Sequence, residues 1–161
     1  MFLKNENKER PIMDCVFCKD DISEQAFLES DHFRCIYNKA PILPGHSMII
    51  TKEHVQSMLD LDDAKRSELM RLSTRAAKVI TDVFNADAFN WTVQDRPPAG
   101  QTVAHFHLHI IPRRNGDLPN PGDWYPQLEK YYDQTNTHSE ERPSLTQDEL
   151  REVAMKIRKQ I

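Results

Sequence analysis

From Val103 to Pro112 the chain reads Val-Ala-His-Phe-His-Leu-His-Ile-Ile-Pro, with His105, His107 and His109 at alternate positions. In a strand, successive side chains point to opposite faces, and residues two apart rise by roughly 6.7 Å on the same face. The three imidazoles therefore share one face of a strand, and Phe106, Leu108 and Ile110 share the other. That second face must pack into a core. The fold has to supply a sheet that is hydrophobic on one side of this strand and lined with histidine on the other.

Two more strands are predicted upstream. His32 to Lys39 alternates Phe33, Cys35 and Tyr37 with Arg34, Ile36 and Asn38, and His46 to Thr51 is a short apolar run. Between them Ala40 to Gly45 holds two prolines and a glycine, so the pair reads as a long-loop antiparallel hairpin. Leu61 to Phe84 is a long amphipathic helix. Leu69, Leu72, Ala76, Val79, Ile80 and Val83 recur on one face, and Asp60, Asp62 and Asp63 stand near its N-terminal end. Ala88 to Gln94 is a further strand, and Asp95 to Gly100 is a proline-rich turn. Arg113 to Tyr132 reads as a loop carrying Trp124, Tyr125, Tyr131 and Tyr132. A last helix opens with a capping box at Thr146 and Glu149 and a staple between Leu145 and Leu150. These elements read as antiparallel strands, one long helix and a C-terminal helix. The predicted parts are a flexible arm over residues 1–13, a main domain over 14–118, and an aromatic loop with helix over 119–161.

A chain of 161 residues leaves room for one ordinary domain. The formal charge of -4 offers no basic footprint for a nucleic-acid polymer, yet leaves a small anionic ligand open. No apolar run is long enough for a membrane span. The first thirteen residues have no apolar stretch, so no export signal is expected. Three cysteines, Cys15, Cys18 and Cys35, make a disulfide framework improbable and point to the cytoplasm.

The histidine row admits three chemistries: metal ligation, phosphate binding, and nucleophilic catalysis by one imidazole. The segment just before the row helps to choose. Gly100-Gln101-Thr102 allows backbone N–H groups to approach an anion closely, while Asp95 is the only acid nearby. Phosphorus chemistry is favoured.

The run His105-Phe106-His107-Leu108-His109-Ile110-Ile111 resembles the motif of the histidine-triad (HIT) family. Gln94 to Val103 resembles the segment preceding the triad in the fragile-histidine-triad (Fhit) branch, and Asn38 with Pro44-Gly45-His46 is similar to the family's first hairpin. The resemblance implies an α+β fold, a half-barrel antiparallel sheet with a long helix packed on it and a C-terminal helix, and usually a homodimer. It implies cleavage of dinucleoside polyphosphates, such as diadenosine tri- or tetraphosphate, through a nucleotidyl-histidine with release of AMP. Magnesium would accompany the nucleotide. On this resemblance His107 is the nucleophile, His109 assists the leaving group, and His46 supports the row. Asn38 contacts ribose, Gln94 and Thr102 hold the α-phosphate, and Gln101 is a further substrate-binding residue. Trp124 and Tyr125 either pack in a core or dimer contact or close over the second nucleotide. Gln94 and the long C-terminal segment favour this branch over adenosine phosphoramidases. A phosphorylase with the same triad, a zinc lyase or hydrolase, and a nucleotide-binding sensor with little turnover remain alternatives.

Cys15-x-x-Cys18 departs from the best-known members of that branch. The spacing suits a zinc knuckle that needs two further ligands. Some bacterial-type relatives resemble this pattern, which implies Cys15, Cys18, His54 and His105 as ligands of a structural zinc.

Overall fold

Ala26–Glu29 (β1), Phe33–Tyr37 (β2), Ser47–Thr51 (β3), Ala88–Thr92 (β4) and His107–Arg113 (β5) form one open sheet in the order β1-β2-β3-β5-β4. Every neighbouring pair is antiparallel. The structure, a computed structural model, describes residues 15–129 and 144–161. The predicted N-terminal arm and the Tyr131–Tyr132 pair lie outside the described residues.

The apolar side of β5 does what its alternation demands. Leu108 and Ile110, with Phe106 just before the strand, are buried in one cluster with Ile49 of β3 and Phe33 and Cys35 of β2. Helix α1 (Asp63–Val83) lays Leu69, Leu72, Ala76, Ala77 and Ile80 across that face. Its N-cap is Asp62, whose side chain accepts from the Lys65 N–H at 2.8 Å. Helix α3 (Gln147–Arg158) adds Leu150, Ala154 and Ile157 to the same core. Its capping box forms as the Thr146–Glu149 spacing requires, and Arg158 Nε donates to the Ala26 carbonyl of β1 at 2.8 Å. Among the described residues no helix is long and apolar enough to cross a membrane.

The structure departs from the sequence pattern in three places. Strand β1 has no alternation to reveal it, because Ala26, Phe27 and Leu28 are all buried at a bulged sheet edge. The strand predicted from Val103 begins only at His107. The His105 N–H turns back to the Val103 carbonyl at 2.7 Å, and the Phe106 N–H goes to Val55 O. These donors are satisfied outside the ladder, so His105 sits one turn before the strand. Within the loop predicted after Arg113 lies a short helix, α2 (Trp124–Glu129).

The histidine side of the sheet is not bare. Met48 and Ile50 of β3 lie directly opposite His109 and His107, so they share the imidazole face. They join a second cluster with Cys15, Phe17, Ile22, Ala26 and Ile36. The segment after Cys15 thus folds over one end of the row.

Candidate active site and metal-ligand cluster

His105 is fully buried, and its two ring nitrogens have different neighbours. Nε2 lies 2.8 Å from the Thr51 carbonyl and 2.9 Å from Thr51 Oγ1. A carbonyl only accepts, so Nε2 carries the proton and Nδ1 the lone pair. Nδ1 is 3.4 Å from both Cys15 Sγ and Cys18 Sγ, and His54 Nδ1 is 3.3 Å from Cys18 Sγ. All four ligating atoms lie within 4.8 Å of one another. A tetrahedral zinc sets sulfur and nitrogen ligands about 3.5 Å apart, so the donor set fits. The Thr51 carbonyl is the outer contact that ligating histidines use to fix their tautomer. Burial lowers His105 to about 4, against the opposing pull of its bond to Thr51. Burial, followed by the adjacent Cys15 sulfur, pushes Cys18 up to about 11. Metal binding here would release protons.

Two residues on, the arrangement reverses. His107 Nδ1 lies 2.8 Å from the His105 carbonyl. Nδ1–H must donate, which leaves the lone pair on Nε2. Burial lowers its basicity, partly offset by that same hydrogen bond, so the ring is neutral at neutral pH. His46 is fully buried, and its Nδ1 accepts from the Ile42 N–H at 3.2 Å. Its other nitrogen, Nε2, therefore carries the proton and faces His109 Nδ1 at 2.9 Å. That contact places the His109 proton on Nε2. The rings of His107 and His109 meet edge to face with centroids 5.0 Å apart. One histidine offers a lone pair, and its neighbour offers a proton.

The remaining candidates flank this pair. Asn38 Oδ1 accepts from the Ala40 N–H at 2.9 Å, and its NH2 group approaches His46 Nε2 and Met48 Sδ at 3.4 and 3.5 Å. Gln94 is 3% exposed, with Nε2 2.8 Å from Thr92 Oγ1. Gln101 is spent on the backbone: its amide donates to Gln56 O at 2.9 Å and His105 O at 3.4 Å, and accepts from the Arg96 N–H at 3.0 Å. Thr102 follows it, half-buried, in the loop before the row. Asp95 is no metal ligand. It accepts from Ser57 Oγ at 2.9 Å and the Met58 N–H at 3.0 Å, bracing the start of that loop. Arg96, next in line, is held at φ +70°, a strained setting for a non-glycine residue. Trp124 and Tyr125 pack edge to face on each other, with Tyr125 exposed.

Three residues of the site carried no signal in the sequence reading. Phe17, inside the Cys-x-x-Cys, touches the rings of His105 and His107, each with centroids 5.6 Å away. Ile42 acts through its backbone N–H and Thr51 through its carbonyl together with Oγ1, contacts that no motif reveals. Gly45 had a visible signal, since glycine is scarce. At φ +94° a Cβ there would meet Pro112 Cγ at 2.6 Å and the Phe84 ring at 2.9 Å.

The sequence model of the HIT domain family matches residues 19–116. The chain belongs to the HIT family. It is similar to the bis(5'-nucleosyl)-tetraphosphatase [asymmetrical] of Schizosaccharomyces pombe, 37% identical over 114 residues, covering 71% of this chain and 63% of that protein. It is also similar to the bis(5'-adenosyl)-triphosphatase of Dictyostelium discoideum, 33% identical over 125 residues, covering 74% and 84% of the two chains. Among solved HIT structures it is similar to a zinc-bound histidine-triad family protein from Mycobacterium smegmatis, with a TM-score of 0.65 and 25% identity over 92% of this chain and 93% of that one.

Proposed function

We propose that this chain is a hydrolase of dinucleoside polyphosphates that works through a nucleotidyl-histidine at His107. The observation that carries the reading is the His107 tautomer. Its Nδ1 is tied to the His105 carbonyl, and the lone pair on Nε2 is available to attack the α-phosphorus. As the N–P bond forms, the bond from phosphorus to the bridging oxygen breaks. His109 Nε2–H gives its proton to that oxygen, and His46 holds His109 in the required tautomer. Water then attacks the phosphorus, its released proton returns to His109 Nε2, and the N–P bond breaks, releasing AMP and restoring neutral His107 and His109. Gln94 and Thr102 hold the α-phosphate, Asn38 contacts the ribose, and Gln101 contributes by shaping the loop that carries Thr102. Magnesium enters as part of the polyphosphate substrate. The names of the two relatives described above support this substrate class.

Cys15, Cys18, His54 and His105 hold a structural zinc in this reading. When bound, the ion cross-links the N-terminal segment to the catalytic strand and takes no part in bond cleavage. The protein is a cytoplasmic homodimer. Supporting a dimer, β4 is an edge strand with Phe89 exposed, and α1 exposes Met70. An isologous two-fold contact is the commonest solution. Sedimentation at micromolar concentration should give twice the monomer mass, and a monomer would remove this part of the reading.

The deciding experiment incubates the pure protein with diadenosine tri- and tetraphosphate and with adenosine phosphoramidate, with and without inorganic phosphate. AMP should form from the dinucleotides at a higher kcat/KM than from the phosphoramidate. A preference for the phosphoramidate, or conversion of the transferred nucleotide to ADP when phosphate is added, would assign a different reaction.

A further inference from the structure

We infer that the Thr92 hydroxyl is a positioning group: it holds the amide oxygen of Gln94 so that the amide NH2 faces the substrate phosphate. This rests on the reading of Gln94 as a phosphate contact.

The placement comes from the sheet. Thr92, the last residue of β4, lies directly opposite His109 on β5. Opposed residues of an antiparallel pair project to the same face, so the Thr92 side chain is on the imidazole face. Gln94 is bonded to that side chain at 2.8 Å, which brings its amide to the same face. With Nε2 on Thr92, however, Gln94 Oε1 is buried with no hydrogen-bond partner among the described residues. A buried orphan acceptor is costly, and a polyphosphate cannot relieve it, because phosphate oxygens are acceptors too.

A threonine hydroxyl both donates and accepts, and the two ends of a glutamine amide are nearly the same shape. Turning the amide by 180° keeps the contact with Thr92. The hydroxyl now donates to Oε1, and the orphan oxygen is replaced by an NH2 group with two donors. Beside a phosphate anion that arrangement satisfies every polar atom of the pair. Valine in place of Thr92 supports neither orientation. Gln94 would keep its side chain but lose the group that aims it.

The test is a double-mutant cycle on the full chain with Thr92→Val, Gln94→Ala and both together, plus Thr92→Ser. It is read on kcat/KM for diadenosine triphosphate and on the dissociation constant for AMP. Thr92→Val should weaken both by roughly ten-fold, the effect of one charge-assisted hydrogen bond, and Thr92→Ser should restore them to within roughly two-fold. In the Gln94→Ala background, Thr92→Val should add nothing, because residues acting as one unit are non-additive. Fully additive effects, or a Thr92→Val protein equal to wild type, would overturn the inference. If wild type binds AMP but leaves the dinucleotide intact, the hydrolase reading falls, and the AMP cycle still judges Thr92. A further measurement needs no variant. In ¹⁵N-labelled wild type, adding AMP should shift the Gln94 side-chain NH2 resonances, and unmoved resonances would also overturn the inference.

Discussion

His105 and His107 are two residues apart, yet they occupy opposite environments. At the His105 end the ring is locked between the Thr51 carbonyl and two cysteine sulfurs, with both nitrogens engaged. At the His107 end one nitrogen is locked by a carbonyl, and the other keeps its lone pair for a reacting atom. In the proposed reading the same residue type serves as a ligand in one place and a nucleophile in the next. The difference lies in which backbone carbonyl each ring meets, and on which nitrogen. The two ends also touch. The His105 carbonyl fixes the His107 tautomer, and Phe17 packs its ring against both. A metal that steadies His105 would therefore steady the nucleophile without entering the reaction.

The sharpest way to break this comparison is to remove His107, the proposed nucleophile. His107→Ala should lower turnover by roughly three orders of magnitude or more while AMP still binds, since the acceptor of the nucleotidyl group is gone and the phosphate donors are not. Near-normal turnover would end covalent catalysis at this position. The complementary change is at the other end. Cys15→Ser with Cys18→Ser should abolish stoichiometric zinc and lower Tm by roughly 5–10 °C, with a smaller effect on the chemical step. Metal analysis and calorimetry check both. A native wild-type protein that takes up no zinc, with both thiols freely titratable, would leave the His105 end a cluster of buried side chains.

Gly45→Ala tests whether the ends can be damaged separately. It crowds Pro112 and Phe84 at a positive φ beside His46, far in sequence from the cysteines. Strain plus overpacking should cost about 2–3 kcal/mol, read in urea unfolding, with zinc content unchanged. Zinc loss in this variant would show that the two ends are one unit.

The smallest effect is expected at Glu68 on α1, which serves as a control. Burial would raise its pKa, but donation from Ser30 Oγ, the His32 N–H and the His32 ring outweighs burial and holds it at about 2. A depressed carboxylate stabilises the fold above its unfolded value near 4.5, and that contribution fades as pH falls towards 2. Glu68 is half-buried, so after solvent screening the term is about 1 kcal/mol. Glu68→Gln should flatten the fall in stability between pH 4.5 and 2 and leave metal content and turnover at pH 7 alone. An unchanged acid profile would remove Glu68 from the account.

Much of this molecule is written in local pattern. The period-two alternation around His107 places three apolar side chains in the core, and the three- and four-residue spacing from Leu69 to Ile80 makes α1. Asp62, Thr146 and Glu149 cap helices because the orphan N–H groups they satisfy lie within three residues. The family follows from the triad motif, whose His107 and His109 keep a strand's own spacing while His105 lies just before the strand. Cys15-x-x-Cys18 announces half of a metal cluster.

What the chain order could not decide is how the histidines divide their work. Cys15 meets His105 across 90 residues, and His46 meets His109 across 63. Those contacts exist only once β3 and β5 are paired and the segment after Cys15 has folded over them. The tautomers were undetermined for the same reason. Each depends on a carbonyl or N–H supplied by Thr51, His105 or Ile42, and backbone groups are identical at every position of a sequence. Gln101 shows this most plainly. The resemblance makes it a substrate-binding residue, and packing surrounds its amide with three backbone partners that no local pattern reveals. Only tertiary structure brings such groups within hydrogen-bonding distance, and distance decides what an imidazole or an amide can do.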